Sequence, residues 1–534
     1  MDGTPTPYSP MHRTLPALAL GLALSLGAAC AWADWDVTVG ATSAHGTWSN
    51  GNPNVWTPNG SGATVAASEI AARLAGGTPV VINTSGGGGA ENGDLTVSSG
   101  LAWSANSLTL HAARNIAINA SLNGSGTARL ALEYGQGALA AGNTAQYTLG
   151  GGAKANLPAG ANFSKKLGSD GGTTTWTVIT SLGLEGDASV MPAPMTLQGM
   201  NTGLAGNYVL GADIDASSTA GWNGGLGFTP IGHDSGTPFT GKFDGLGHTI
   251  SGLTINLAGG NNRSYGLFGA TNNALLQNVG LLNVAITGGS NGATGALAGE
   301  IRGSTAVHNS YVDGGSVSTV TQAIGGLVGV VNAAGASVSY SHADVSVSAA
   351  LGGGSGQASA GGLVGINNGA ISYSYAKGSV STPTGSSSGK EVGGLVGRQN
   401  NGSISYSFAT GAVSGNNTLG GLLGTMAGGT VTNSYWDKDT TGQSTSAGSP
   451  ASDGKTTAEM HSASFWNSTG WDSDYVHDIV FASLSIFLAP VGSGGAAIPT
   501  LSPWGLLLLS LLLAGWTWRA GRMQKSSRST KGQR

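Results

Sequence analysis

Four titratable side chains stand close enough in sequence to be weighed for chemistry. Asp213 and Asp215 fall two apart in Asn207-Tyr-Val-Leu-Gly-Ala-Asp-Ile-Asp215. Asp244 and His248 follow in Phe239-Thr-Gly-Lys-Phe-Asp-Gly-Leu-Gly-His-Thr-Ile250. Residues i and i+2 of a strand share one face. Carboxylates converging in a groove beside an imidazole are what acid–base attack on a polysaccharide, or a calcium site, requires. The plainer expectation is that these aspartates close turns through their own side chains and that His248 tops a strand. Nothing in the spacing fixes a separation between the carboxylates or supplies supporting partners, so the plainer expectation stands ahead. None of the 9 histidines begins a His-Glu-x-x-His zinc motif. No Gly-x-Ser-x-Gly elbow or phosphate loop lies in a strand-turn-helix setting, and the Gly-x-Gly matches are background from 94 glycines. No catalytic residue, cofactor or metal is expected.

The elements that would position such groups repeat. Gly266-Leu267-Phe268-Gly269 returns as Gly295-Ala-Leu-Ala-Gly299, Gly325-Gly-Leu-Val-Gly329, Gly361-Gly-Leu-Val-Gly365, Gly393-Gly-Leu-Val-Gly397 and Gly420-Gly-Leu-Leu-Gly424. Taking positions 265, 295, 325, 361, 393 and 420 as markers, the steps are 30, 30, 36, 32 and 27 residues, a period that means a repeat architecture. Each phrase is followed by a second and third beat, as in Gly402-Ser-Ile-Ser-Tyr-Ser-Phe-Ala409 and Gly411-Ala-Val-Ser414. Alternation of apolar with small polar residues predicts strands with one buried face. The glycines between them are expected to supply positive φ at corners. Three short strands and three corners per repeat predict one coil of a β-solenoid. Its core would be ladders of inward Leu, Val, Ile and Tyr, and six coils would make a rod of roughly 29 Å at ~4.8 Å per coil. The expected fold class is therefore all-β, a β-solenoid in the form of a right-handed parallel β-helix.

These phrases resemble the GLUG repeat of bacterial surface and secreted proteins, over about a third of the chain. The first two copies are degenerate. Asn433-Ser-Tyr-Trp-Asp437, with Thr441-Gly442-Gln443 and Trp471-Asp472 behind it, looks like the end cap that follows such repeats. GLUG repeats also occur in IgA-directed metallopeptidases, but without His-Glu-x-x-His that activity is not carried over. Residues 181–264 contain the phrases that precede GLUG arrays. From 34 to 180, the alternating strands Pro79-Val-Val-Ile-Asn83, Asp94-Leu-Thr-Val97, Ser107-Leu-Thr-Leu-His111, Asn115-Ile-Ala-Ile-Asn119 and Arg129-Leu-Ala-Leu-Glu133 resemble the rungs of filamentous-haemagglutinin-like adhesins. A short helix is predicted at Ser68-Glu-Ile-Ala-Ala-Arg-Leu-Ala75, with Ser68 as its cap.

Both ends carry targeting signals. His12 and Arg13, the apolar run Leu15 to Ala29 and Ala31-Trp-Ala33 predict a signal peptide over 1–33, cut by signal peptidase between Ala33 and Asp34 with Ala31 and Ala33 as the small residues. Removing it removes Cys30, the only cysteine, so no disulfide is expected. Residues 438–497 form a cap and a Gly/Ser-rich spacer. Residues 498–534 then combine Ile498-Pro-Thr-Leu-Ser-Pro-Trp-Gly505, an apolar run to Trp518 and six basic residues from Arg519 to Arg534. The apolar run predicts a transmembrane helix with a cytoplasmic basic tail. The tripartite end resembles the IPTL-CTERM sorting signal, a relative of PEP-CTERM signals, with Ile498, Pro499, Thr500, Leu501, Ser502, Trp504 and Gly505 fitting the motif. The resemblance implies a Gram-negative envelope and an exosortase-type enzyme that hands the protein to the cell surface.

Charge narrows the partners. Without Arg13, Asp2 and the basic tail, 14 Lys and Arg remain against 24 Asp and Glu, about −10. That opposes nucleic acid, which needs a basic face. An exported, low-charge rod predicts an adhesin or matrix protein. Its outward Ser, Thr, Asn and Tyr suit carbohydrate or a host or matrix surface. A polysaccharide-acting enzyme built on Asp213, Asp215, Asp244 and His248, or a passive spacer, are the alternatives.

Overall fold

The computed structural model describes residues 34–469 and Trp471, apart from 86–87, 151, 191–194, 234–235, 258–263, 290–291, 320–322, 350–357, 384–389 and 416–417. One unit comprises residues 1–469 and a second 470–534. The leader 1–33, the spacer and the tail from Ile498 onward lie outside the described residues. Among the described residues no helix is long and apolar enough to cross a membrane.

The described chain is a parallel β-solenoid with few helices. In the first segment three strands make a round. Leu95–Val97, Leu101–Trp103 and Ser107–His111 are followed by Ile116–Ile118, Leu122–Gly124 and Arg129–Tyr134. Strict alternation turns every second residue inward, so in-register leucines and isoleucines stack, as in Ile82–Leu110–Leu132 and Leu95–Ile116. In the opening round the helix Ala67–Ala75 lies against Leu101–Trp103 and buries Ile70 and Leu74. Ser68 is not its cap. It sits inside the first turn, and the capping position belongs to Ala66, whose methyl offers no acceptor.

The repeat rod departs from the expected three strands per coil. One coil contains Glu391–Gly393, Val396–Gln399, Ser403–Ser405, Phe408–Ala409 and Val413–Ser414. The extra corners have two causes. The Gly-Gly-Leu-Val-Gly phrase is itself a corner, because Gly394 and Leu395 turn between two strands. Ile-Ser-Tyr-Ser-Phe-Ala breaks at Tyr406, whose φ is 45°.

The glycines of the phrase also serve a different purpose from the one expected. None of those in the last four phrases has positive φ. They are small because adjacent coils touch backbone to backbone. A Cβ on Gly393 would strike the Val396 carbonyl and come within 2.6 Å of the Gly424 nitrogen. Positive φ falls instead on a column of side-chain-bearing residues, namely Asn278, Asn309, Tyr340, Tyr373, Tyr406 and Asn433.

A ladder of buried serines stabilises that corner. Each hydroxyl donates to the carbonyl two residues back, Ser374 to Ser372 and Ser407 to Ser405, at 2.8 and 2.9 Å. Each also accepts the backbone N–H of the serine one coil earlier, Ser341 to Ser374 at 3.2 Å and Ser374 to Ser407 at 3.3 Å. This satisfies backbone donors that a bent strand would leave unpaired inside the protein.

The two segments are joined by one continuous wall of 15 strands, from Gly46–Trp48 to Thr430–Thr432. Its pairing beyond the opening hairpin is parallel except at one step, where Gly160–Leu167 pairs antiparallel with Thr174–Ile179. At that step the core changes sides. Trp176, Val178 and Val209 face the first core, whereas Ile179, Tyr208 and Leu210 face the second. Reversing the strands while stacking continues in the same direction would invert the winding if the core kept its side. Moving the core to the opposite face restores it, so both segments wind with one hand, as chirality rules favour.

The far end of the rod is plugged by Trp436, fully buried, whose indole N–H donates to the Gln443 carbonyl at 2.8 Å. Asp437 then caps the helix Lys438–Thr441, and Gly442 ends it in the left-handed region.

Candidate functional site

The structure brings two of the four weighed residues together and separates the third and fourth from them. Asp213 accepts from Lys154 Nζ at 2.7 and 2.9 Å and from the Thr249 N–H at 2.9 Å, and lies 3.2 Å from His248 Nδ1. Burial would raise its pKa, but Lys154, the Thr249 N–H and His248 outweigh that and hold it at about 2. His248 Nε2 meets the Ala155 carbonyl at 3.1 Å. Burial lowers the imidazole's pKa against the pull of these acceptors. With both ring nitrogens engaged, neither is free to take a proton from a substrate. Asp215 is exposed and accepts the Ser217 N–H two residues on, the turn-closing role expected of it. Among the described residues Asp244 shares no hydrogen-bond partner with Asp213 or His248. Among the described residues no three His, Cys, Asp or Glu side chains gather as a metal would require. Asp34 is buried and bridges Glu91, while Ala31, Ala33 and the motif Ile498, Pro499, Thr500, Leu501, Ser502, Trp504 and Gly505 lie outside the described residues.

Asp244 belongs to a different constellation, at the junction of the two segments. It is fully buried on the outer side of the second solenoid, where it closes the open end of the first. There the in-register ladder Ile82–Leu110–Leu132 ends not in an aliphatic residue but in Lys165. The ladder Leu95–Ile116 ends likewise in Tyr147. Lys165 Nζ donates to Asp244 Oδ2 at 2.7 Å, and the Tyr147 hydroxyl donates to the same oxygen. Gln277 Nε2 donates to Oδ2 at 2.7 Å, and Asn278 Nδ2 and the Leu246 N–H donate to Oδ1 at 3.0 Å each. Lys165 Nζ also lies 4.0 Å from the centre of the Trp176 ring.

Burial opposes both charges. It would raise the Asp244 pKa, but Lys165 and the hydrogen bonds hold it below the ordinary carboxylate value. Burial lowers the Lys165 pKa despite Asp244. The phenol of Tyr147 is pushed well up by burial and by the carboxylate it serves. A buried pair of this kind is retained only where its remaining hydrogen bonds are made, as they are here.

Beside the pair lies a cavity of about 400 Å³, lined by Tyr134, Tyr147, Lys165, Trp176, Lys242, Gln277, Asn278 and His308 among others. Its remaining wall comes from two loops of the first segment that tie to each other. Ala140 N–H donates to Asp170 at 2.7 Å and Ser169 N–H to the Ala138 carbonyl at 2.8 Å. Sequence reasoning singled out Asp244 but grouped it with other partners, and did not anticipate this site. The one available signal was Lys165, which falls on the inward beat of Ala161-Asn-Phe-Ser-Lys-Lys-Leu167, where the alternation calls for an apolar residue. Its partners lie 18 and 79 positions away at Tyr147 and Asp244, and no local pattern connects them.

The stacked rings that follow each phrase differ from expectation. Unlike Phe268 and Trp436, they lie outside the aliphatic core cluster, and their faces are not offered to sugar. Tyr340, Tyr373 and Tyr406 stack on one another at 4.9 Å, nearly parallel. Beside them Tyr311, His342, Tyr375 and Phe408 form a second stack at 4.6 to 4.9 Å. Rings stacked coil on coil spend their faces on each other and present edges and polar tips.

Comparison with known proteins agrees with the repeats and the tail. The GLUG motif matches residues 388–414 and the IPTL-CTERM motif residues 496–524, a span that contains the sorting-motif residues given above. Halomucin of Haloquadratum walsbyi (strain DSM 16790 / HBSQ001) is 42% identical over 164 residues, 30% of this chain and 2% of that protein. The chain thus spans only a small fraction of that relative's length. Among solved structures, a candidate immunoglobulin A1 protease from Bacteroides ovatus is 20% identical with a TM-score of 0.37, over 48% of this chain and 77% of that one. An IgA1 protease gives the same identity and TM-score over 55% of this chain and 23% of that one. The chain is a GLUG-motif repeat solenoid with an IPTL-CTERM motif, and together these mark an exported surface protein that carries a sorting signal.

Proposed function

We propose that the protein is an adhesin or extracellular-matrix component of a Gram-negative-type cell. Signal peptidase cuts its leader after Ala33. The C-terminal helix holds it for a time in the inner membrane, and an exosortase-type enzyme acting near Ile498–Gly505 passes it to the surface. The observation that carries this reading is one chain that combines a GLUG rod with an IPTL-CTERM motif. The rod suits the role. Its serine corner is internally satisfied, its charge is low, and coils add length without a larger core. The reading is non-enzymatic, and the separation of Asp244 from Asp213 and His248 supports it.

The test is the intact mass of the protein recovered from cell fractions, beside a variant with Ile498–Thr500 replaced by alanine. Loss of the tail from the native protein alone is expected. An intact tail retained in the inner membrane would overturn the sorting step and remove the main support for a surface role.

A further inference from the structure

We infer that the junction cavity is a binding site for an acidic saccharide, a sugar unit bearing a carboxylate. This deepens the surface reading and rests on it, since polysaccharide is what such a protein would meet outside the cell.

Size, charge and lining point the same way. About 400 Å³ falls within the range of small-molecule sites, which is ~300–1,000 Å³. Within the cavity the charges of Lys165 and Asp244 cancel, which leaves Lys242 in excess. Lys242 is two residues from Asp244 on the same strand and therefore on the same face, and it is exposed. It makes no ion pair among the described residues. A net positive cavity in a chain of net charge −4 favours an anion. Trp176 supplies a second observation. Its ring is buried in the cavity wall, and its indole N–H has no hydrogen-bond partner. The N–H itself is shielded from the cavity, so Trp176 contributes apolar wall rather than a donor. Tyr134 and Tyr147 meet at 56° rather than stacking, unlike the rings of the rod, and Gln277 and His308 add polar atoms. Aromatic surface with a few placed donors suits a sugar ring, and a single lysine suits one carboxylate. Among the described residues that line the cavity there is no arginine fork for a phosphate or sulfate.

Calorimetry on the full-length protein tests this with a short oligogalacturonate, its methyl ester and a sulfated neutral oligosaccharide. The acid should bind. Its ester should bind about tenfold more weakly, and Lys242→Ala should weaken the acid by about tenfold while leaving the ester unchanged. Trp176→Phe shrinks the aromatic wall and should weaken acid and ester alike by about twofold. Lys242 is exposed, so its variant folds and keeps the test readable even where Trp176→Phe does not. Equal binding of acid and ester, an unaffected Lys242→Ala variant, or tighter binding of the sulfated sugar overturns the assignment. Absence of binding by a protein whose tail is processed normally ends the cavity site and leaves the surface role standing.

Discussion

The two solenoid segments solve the same packing problem in opposite ways. In the rod the same solutions recur at matching positions of the described coils. Glycines let backbones touch, serines satisfy the bent corner, rings stack on rings, and each solution recurs coil after coil. In the first segment only the aliphatic ladders repeat, and the turns are individual. That segment also ends in residues that break its own pattern, Lys165 and Tyr147. Periodicity uses up polar and aromatic groups internally. Groups left for a ligand collect where the period fails, at the seam where strand direction and core face reverse together.

The largest expected effect strikes that seam. Asp244→Ala leaves Lys165 charged, buried and without its carboxylate, and should cost about 3–5 kcal/mol in chemical denaturation. The double variant Lys165→Met with Asp244→Leu should recover part of it, because an aliphatic pair completes the ladder while Tyr147, Gln277, Asn278 and the Leu246 N–H lose their acceptor. Failure of that recovery would mean the pair is required for more than its own neutralisation.

Next comes acid, which should act on the rod. His342 sits between Tyr311 and Tyr375, and burial, with Lys377 nearby, holds its pKa at about 3. Asp313 and Asp344 share that face. The imidazole is neutral in the folded rod and protonates in the unfolded chain below about pH 6.5. Its contribution is therefore complete above that pH and is lost as pH falls toward 3, by about 2–4 kcal/mol once partial solvent access is allowed for. His342→Phe continues the stack with the residue found at Phe408 and should flatten the melting temperature between pH 7 and pH 4. An unchanged pH profile would place the acid sensitivity elsewhere.

Gly393→Ala tests whether the rod needs glycine for space. It should lower stability by about 2–3 kcal/mol. Gly142 in the first segment has φ of 74° and open space around its missing Cβ, so Gly142→Ala should cost only the ~1–2 kcal/mol of a strained turn. Equal losses would remove the distinction between close approach and backbone conformation. Ser374→Ala, which breaks one rung of the serine ladder, should cost about 1–2 kcal/mol and leave the neighbouring rungs intact.

How much of this the sequence disclosed follows the same division. The solenoid was readable because the six phrases and the alternating strands are local, and the five strands predicted between Val80 and Tyr134 lie where the alternation places them. The purpose of the glycines was misjudged because contact between coils is not a local property. Tyr406 was read as a strand residue because a left-handed tyrosine leaves no mark in an apolar/polar pattern. The aspartate pair was legible as two residues on one face, but Asp244 was grouped with the wrong partners. Its true ones are scattered: Lys165 comes from a hairpin 79 residues earlier, Tyr147 from a strand 97 earlier, and Gln277 and Asn278 from the next coil.

The smallest predicted effect separates backbone from ring in the outer column. Tyr373 holds φ of 47°, a conformation that costs most side chains about 1–2 kcal/mol and that asparagine tolerates best. Asn278, Asn309 and Asn433 occupy the same corner in other coils. Tyr373→Asn gains the better backbone fit and gives up two ring contacts, each worth about 0.5–1.5 kcal/mol, so the net change should stay within about 1 kcal/mol. Tyr373→Ala loses the contacts and gains nothing, and should cost about 1–2 kcal/mol. If asparagine proves as costly as alanine, the stacked rings rather than the turn hold the corner. The rod would then owe its regularity to its surface as much as to its core.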